Sequence, residues 1–336
     1  MHAWHITEFG LNHLALRECD EPEPGPGQVR VSVAAVSLNY RDLLVVKGQY
    51  NPRLRLPLIP GSDGVGEVTA VGCGVSAVRV GDRVAGCFFP DWVDGPISEQ
   101  KTRAALGGSR DGVLATSVIL QETGVLPVPA HLTDEEAATL PCAALTAWNA
   151  LVTQGGLTPG QTVLTLGTGG VSLFALQFAR MCGAEVIATS SSDAKLTRAR
   201  ELGASAGINY QETPDWDDRV RRLTGGIGVD HVVEVGGAGT LERSLRAVRM
   251  GGAVSLIGVL AGYRQANPVP ILMKNIRLQG VYVGSRDTFA AMNRAIALHQ
   301  LRPVVDRVFP FADTPAAFHH LESAAHFGKV CIRVPS

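Results

Sequence analysis

The spacing of hydrophobic and polar positions changes twice along the chain. Up to about residue 126 the apolar residues come in short β-rich runs, 29–36, 64–71 and 83–89, set between Gly- and Pro-containing turns. Many short strands with such turns predict a compact, barrel-like β domain. From residue 162 the pattern alternates. Apolar runs 162–166, 185–189, 229–234 and 253–257 read as buried strands, and 171–182, 195–202 and 240–248 read as helices between them. Strand–helix alternation predicts parallel βαβ units. After about residue 262 the pattern is mixed again, with strand-like 277–283, helix-like 287–299 and strand-like 329–334.

One long stretch needs separate treatment. Between Ala137 and Ala179 there is no Asp, Glu, Lys, Arg or His. Pro141, Pro159, Gly155-Gly156 and Gly169-Gly170 break it, and no segment of about 20 residues is continuously apolar, so it reads as protein core rather than a membrane span. The start, Met1-His-Ala-Trp-His5, has no basic region followed by an apolar one. That predicts no signal peptide and a cytoplasmic location.

Composition narrows the function classes. The 336 residues are 46% hydrophobic and 18% charged, with 38 Gly and 19 Pro, an ordinary globular balance that predicts about two domains. The net charge is −1, so no basic field is present to hold nucleic acid. The six cysteines, Cys19, Cys73, Cys87, Cys142, Cys182 and Cys331, are too scattered for a zinc knuckle or a Cys-x-x-Cys redox pair.

The chemistry concentrates in Gly167-Thr168-Gly169-Gly170-Val171-Ser172, between a predicted strand and a predicted helix. In that context the first glycine makes a tight turn, the second admits a pyrophosphate, and the helix N-terminus offers free N–H groups. A site for NAD normally has an acid about 20 residues on, at the end of the second strand. Here that strand runs into Ser190-Ser191-Ser192, with Lys195 close behind. Hydroxyls and a cation suit a 2′-phosphate, which predicts NADPH, with NADH as the alternative if Asp193 turns back to the ribose. Gly236, Ile257, Gly258 and Val259 end later strands and are expected to line the cofactor.

Asn39-Tyr-Arg-Asp42, Pro60-Gly-Ser-Asp-Gly-Val-Gly-Glu67, Gly81-Asp-Arg-Val84, Leu140-Pro141, Leu145-Thr-Ala-Trp148, the glycine motif and Gly328-Lys329 together resemble the medium-chain dehydrogenases/reductases, in particular their zinc-free, quinone-oxidoreductase-like branch. The resemblance implies an α/β fold: a GroES-like β-rich catalytic domain from residues 1–126 and 265–336, and a Rossmann doubly wound parallel-sheet domain from 127–264, with the active site in the cleft between them. It adds Asn39, Thr146 and Lys329 to the cofactor-binding residues. Zinc members of the family carry Cys where this chain has Asn39 and Gly-His-Glu where it has Gly61-Ser62-Asp63. There is no His from 14 to 130 and no cluster of four Cys for a structural zinc, so no zinc is expected.

Without a metal to polarise an alcohol, an activated acceptor is the easier substrate. The expected reaction is hydride transfer from NADPH to a quinone or α,β-unsaturated carbonyl. The alternatives are an alcohol dehydrogenase or carbonyl reductase and, without turnover, an NADPH-binding sensor or zeta-crystallin-like protein. Asn39 is expected at the reaction centre, Tyr40 or Tyr50 as proton donor, and Asp42 as a brace for the loop. Phe88, Phe89 and Trp92 are candidate walls of an acceptor pocket. The apolar run 277–283 is expected to pair with its twin at a sheet edge, giving a homodimer or a tetramer. No nucleic-acid or membrane partner is expected.

Overall fold

The computed structural model describes residues 1–258 and 267–335. Two compact units emerge, Met1–Leu145 with Gly284–Ser336, and Thr146–Val283. Along the chain the first contributes β1 (His2–Ile6), β2 (Leu14–Glu18), β3 (Gln28–Leu38), β4 (Asp63–Val71), β5 (Arg83–Gly86), β6 (Ser117–Gln121) and β7 (Val125–Pro127). The second holds β8 (Thr162–Thr165), β9 (Glu185–Ser190), β10 (Ala206–Asn209), β11 (Val229–Glu234), β12 (Val248–Leu256) and β13 (Arg277–Gly280). The chain then returns to the first unit for β14 (Val305–Pro310) and β15 (Lys329–Arg333).

The boundaries lie further along than the expected 126/127 and 264/265. Residues 127–145 are hydrogen-bonded into the first unit: the His131 ring to the Leu301 carbonyl, the Glu135 carbonyl to Cys331, and the Cys142 N–H to Asp63. At the other end, β13 belongs to the parallel sheet because it pairs with β12 from Arg277 to Gly280. The strand stops at Gly280, short of the expected residue 283.

In the first unit the sheet order is β14-β15-β3-β4-β5-β7, with β6 also on β3. Burial alternates along β3, so that Val29, Val31 and Val33 point into a core shared with Val68, Val84, Leu114 and Phe318. The period-2 pattern is what a strand with one covered face requires. Antiparallel pairing brings Ser37 opposite Asp63 and Leu38 opposite Val330. The C-terminal end of β3 therefore meets the first residues of β4 and β15.

The second unit is a six-stranded parallel sheet in the order β10-β9-β8-β11-β12-β13. Strand order reverses between β8 and β11, the doubly wound arrangement that binds ligands outside the C-terminal strand ends. Both faces are covered, so strands such as β8 and β11 are buried almost throughout. The helix Gly170–Met181 buries Leu173, Phe174, Leu176 and Phe178, with the Phe174 and Phe178 rings stacked at 5.8 Å. Among the described residues no helix is long and apolar enough to cross a membrane.

Candidate functional site

Two clusters of chemistry form, one in each unit. In the first unit, Asn39 directly follows β3 and caps the helix Tyr40–Val46. The Asp42 carboxylate accepts from the Asn39 N–H at 2.8 Å, as a capping residue should. Asp42 is fully buried, and the Arg41 guanidinium lies beside it at 3.3 Å. Burial raises the Asp42 carboxyl above the usual carboxylate range, against the opposing charge of Arg41. Its place is structural, inside the loop.

The Asn39 amide is engaged at both ends. Its Nδ2 donates to Ser62 Oγ at 3.3 Å, and its Oδ1 accepts from Lys329 Nζ at 2.5 Å. The Lys329 ammonium also donates to the Leu38 carbonyl at 2.6 Å and is itself buried. Ser62 Oγ donates to Asp63 Oδ1 at 2.6 Å, and Asp63 Oδ2 accepts from the Cys142 N–H at 3.0 Å. Burial pushes the Asp63 carboxyl up to about 6, partly offset by the Lys329 charge and the Ser62 hydroxyl. Burial, and then the Asp63 charge, raise the Cys142 thiol, so it stays protonated. The sheet register explains the meeting: Asn39, Ser62 and Lys329 each sit at or beside a strand end that β3 pairing brings together.

Other expected residues fall elsewhere. Tyr40 and Tyr50 are 42% and 39% exposed, with their rings at the surface of the unit. The Arg41 guanidinium lies 5.2 Å from the Tyr50 ring and 4.9 Å from that of Phe88. Phe88, Phe89 and Trp92 are all buried and pack on one another, with the first two edge-to-face at 4.7 Å. They are core, not an open pocket wall, because two adjacent rings and an indole bury more apolar area against each other than a solvent-facing wall allows. The Lys329 ammonium, expected among the cofactor-binding groups, donates to the Leu38 carbonyl and the Asn39 amide.

In the second unit, Gly167 follows β8 with φ +72°, a conformation that glycine adopts without strain. Built Cβ atoms on Gly167 and Gly169 would meet nothing within 4 Å, so the loop borders open space large enough for a ligand to approach the backbone. Helix Gly170–Met181 starts there, which turns its unsatisfied N–H groups toward that space. Ser172 is turned the other way: its hydroxyl donates to the Leu166 carbonyl at 2.7 Å and ties the helix to β8. Thr168 is buried, while Gly170 and Val171 are half-buried in the first turn. Thr146 is buried, in the single α-helical turn Leu145–Trp148.

At the end of β9, Ser190 is buried and its hydroxyl accepts from the Ser192 N–H. Ser191 is exposed, and Ser192 caps the helix Asp193–Glu201 through the Lys195 N–H. The Asp193 carboxylate is held by Asn209 Nδ2 at 3.0 Å. No acid therefore stands free at the end of β9. At the end of β11 the fully buried Glu234 accepts from the N–H groups of Gly236 and Gly237 at 2.8 and 2.9 Å, and from Thr240 Oγ1 at 2.5 Å. Ser244 Oγ donates to its other oxygen. The Glu234 carbonyl accepts from Ile257 and Gly258, and a Cβ on Gly258 would lie 1.7 Å from the Val235 carbonyl oxygen. Val259 lies outside the described residues.

Sequence reasoning missed Glu234 as the brace of this loop, and it read Ser62 and Asp63 only as departures from a metal site. A carboxylate directly after Val232-Val233 at a strand end, shortly followed by two glycines, was the available signal for Glu234.

Residues 25–130 match the alcohol dehydrogenase GroES-like domain and residues 170–297 the zinc-binding dehydrogenase domain. A zinc-type alcohol dehydrogenase-like protein of Schizosaccharomyces pombe is 43% identical over 338 residues, covering 98% of each chain. The crystal structure of a putative alcohol dehydrogenase from Sinorhizobium meliloti 1021 superposes with a TM-score of 0.93 at 44% identity, covering 99% of this chain and 98% of that one. The structure of an NAD-dependent alcohol dehydrogenase gives 0.92 at 36% identity over the whole of both chains.

Proposed function

The chain belongs to the medium-chain dehydrogenase/reductase superfamily, and from that premise we propose that it is a metal-independent, NADPH-dependent reductase of quinones or α,β-unsaturated carbonyls. The coarser statement is plain: it is an NAD(P)-dependent oxidoreductase of alcohol dehydrogenase type.

One observation carries the finer reading. Two positions that hold Cys and His in the family's zinc enzymes are here an amide and a hydroxyl, Asn39 and Ser62, bonded to each other, with the Lys329 ammonium 2.5 Å from the amide oxygen. Neutral oxygen and nitrogen donors beside a fixed positive charge are a poor set for a divalent cation, which prefers thiolate, imidazole or carboxylate. These residues do not fit a zinc ion. Without one, an alkoxide loses its stabilising charge, and a quinone or enone, already electrophilic, is the better-matched substrate.

Bound NADPH supplies the hydride from its nicotinamide C4. The chain's residues bind and orient. The Gly167–Gly169 turn and the helix N-terminus behind it suit the pyrophosphate. Ser190 to Ser192 and Lys195, with Asp193 tied to Asn209, suit a 2′-phosphate. Asn39 steadies the nicotinamide ribose and the acceptor oxygen, and the proton comes from Tyr40, Tyr50 or solvent. The six cysteines are all unpaired, in keeping with a reducing compartment such as the cytoplasm. The position of β13 at the edge of its sheet, with Val269, Leu272 and Met273 exposed in the short helix that precedes it, supports a homodimer joined there.

The test is NADPH oxidation over a panel of quinones, enones, aldehydes and ketones, before and after dialysis against EDTA, with elemental analysis of the protein. Quinone or enone turnover retained in metal-free protein is the expected result. Stoichiometric zinc whose removal abolishes activity refutes it. A second reading, an alcohol dehydrogenase using NAD, is favoured by the name of the NAD-dependent structural relative; alcohol oxidation with NAD faster than any reduction would establish it.

A further inference from the structure

Lys329 begins β15 and is 3% exposed. Lysines are almost never buried so deeply unless paired. Its two hydrogen bonds go to neutral oxygens, the Leu38 carbonyl and the Asn39 amide. From that ammonium the bonds run in one direction: Lys329 donates to Asn39 Oδ1, Asn39 Nδ2 donates to Ser62 Oγ, and Ser62 Oγ donates to Asp63 Oδ1. The Cys142 N–H donates to the second Asp63 oxygen and closes the far end. A cation stands at one terminus and a carboxylate at the other. An amide has two nearly isosteric ends, and only one orientation of Asn39 places its oxygen on the ammonium and its NH₂ on the serine. Reversing the amide would set NH₂ against NH₃⁺.

We propose that Lys329 is a positioning residue, a built-in organic cation that holds the Asn39 amide, and through it Ser62, in one orientation at the reaction centre. Its ammonium takes up lone pairs that would otherwise be free to rotate, and leaves the second N–H of Asn39 Nδ2 as a fixed donor. The kinetic consequence rests on the reductase reading above; the orientation of Asn39 does not.

The test joins kinetics to spectroscopy. Lys329→Met keeps the length of the side chain and removes the charge. With NADPH and 1,4-naphthoquinone or 2-cyclohexen-1-one, kcat is expected to fall about 10- to 100-fold, the usual cost of losing a group that orients a reactive one. KM for NADPH is expected to move less than about threefold, since the loss is one of orientation rather than of uniform binding. The double variant Asn39→Ala/Lys329→Met is expected to be no slower than Asn39→Ala, because the lysine acts through the amide. Independently of turnover, the ¹⁵N side-chain amide signals of Asn39, identified by their loss in Asn39→Ala, are expected to shift and broaden in Lys329→Met.

Additive losses in the double variant overturn the proposal, as does an unchanged Asn39 signal in Lys329→Met. If no acceptor is turned over by the wild type, the reductase reading fails and the Asn39 signal alone decides on Lys329. If Lys329→Met shows no cooperative melt, Ser62→Ala opens the same chain of bonds one link on. A wild-type Asn39 signal in that variant overturns the proposal, and a shifted one sustains it.

Discussion

Asp63 makes the stability of this protein depend on pH in an unusual direction. Burial moves its carboxyl from 3.8 up to about 6. That difference of roughly two units is about 3 kcal/mol at 1.36 kcal/mol per unit. Because Asp63 is wholly buried, solvent screening removes little of it. The sign follows from proton counting. Between pH 3.8 and 6 the folded state holds a proton that the unfolded state has released, so this group's contribution to stability falls as pH rises across that window and is gone above about pH 6. Asp63→Asn removes the titration while keeping an oxygen for Ser62 or Cys142. Urea unfolding of wild type and variant at pH 4, 5, 6 and 7 reads the effect. The wild type minus variant difference is expected to fall by roughly 2 kcal/mol from pH 4 to pH 7, the rest of the change lying below pH 4, with the steepest change between pH 4 and 6. Asp42, also raised by burial and close enough to be coupled to Asp63, broadens the transition. At pH 7 the two proteins are expected to be close, since the variant escapes the burial of a charge but loses charge-assisted bonds of about 1.5–3 kcal/mol. A difference that is flat across the window, or that rises with pH, refutes the reasoning, because it would mean that the Lys329 and Ser62 contacts outweigh the burial.

Ser190→Asp places a carboxylate at the end of β9 and is expected to weaken NADPH relative to NADH by at least about tenfold, or 1.4 kcal/mol, in fluorescence titrations; an unchanged ratio removes Ser190 from cofactor choice. Glu234→Gln is expected to lower unfolding stability by about 1–3 kcal/mol and to weaken NADPH binding, because four donors share two acceptor oxygens of which glutamine keeps one; unaltered melting and affinity would show the Gly236–Gly237 turn to be self-supporting. Leu272→Asp, at a residue 78% exposed in the short helix before β13, is expected to convert a dimer to monomer in light scattering; a wild type that is already monomeric refutes the edge pairing.

The parallel sheet was legible because its signals are local. Apolar strands, intervening helices and the glycine turn at 167–169 are short-range patterns, and β8, β9 and β11 fall within a residue of the expected strands; β12 starts at Val248 rather than 253, and β10, too short and polar to stand out, has no counterpart among the expected strands. The capping of Asn39 by Asp42 is equally local. Lys329 and Asn39 are 290 positions apart, and their contact exists only because β15 pairs antiparallel with β3 in one register. No local pattern reports such a register. The resemblance places Lys329 among the cofactor-binding residues; the fold adds that its ammonium is buried against the Leu38 carbonyl and the Asn39 amide. Ser62 and Asp63 likewise carried meaning only once Cys142 was seen beside them, since the acceptor lone pairs of Asp63 are satisfied by a backbone N–H that any residue type could supply.

That β15 closes the sheet has a consequence for synthesis. The ribosome releases Asn39, Asp42, Ser62 and Asp63 first, and the whole Thr146–Val283 unit emerges before Lys329 does. Until then β3 lacks its β15 partner, and Arg41 is the cation of this cluster already on the chain. The parallel sheet meanwhile needs nothing from either flank to complete its strand order. A nascent chain therefore has every strand of the parallel sheet while its amino-terminal unit still lacks β15.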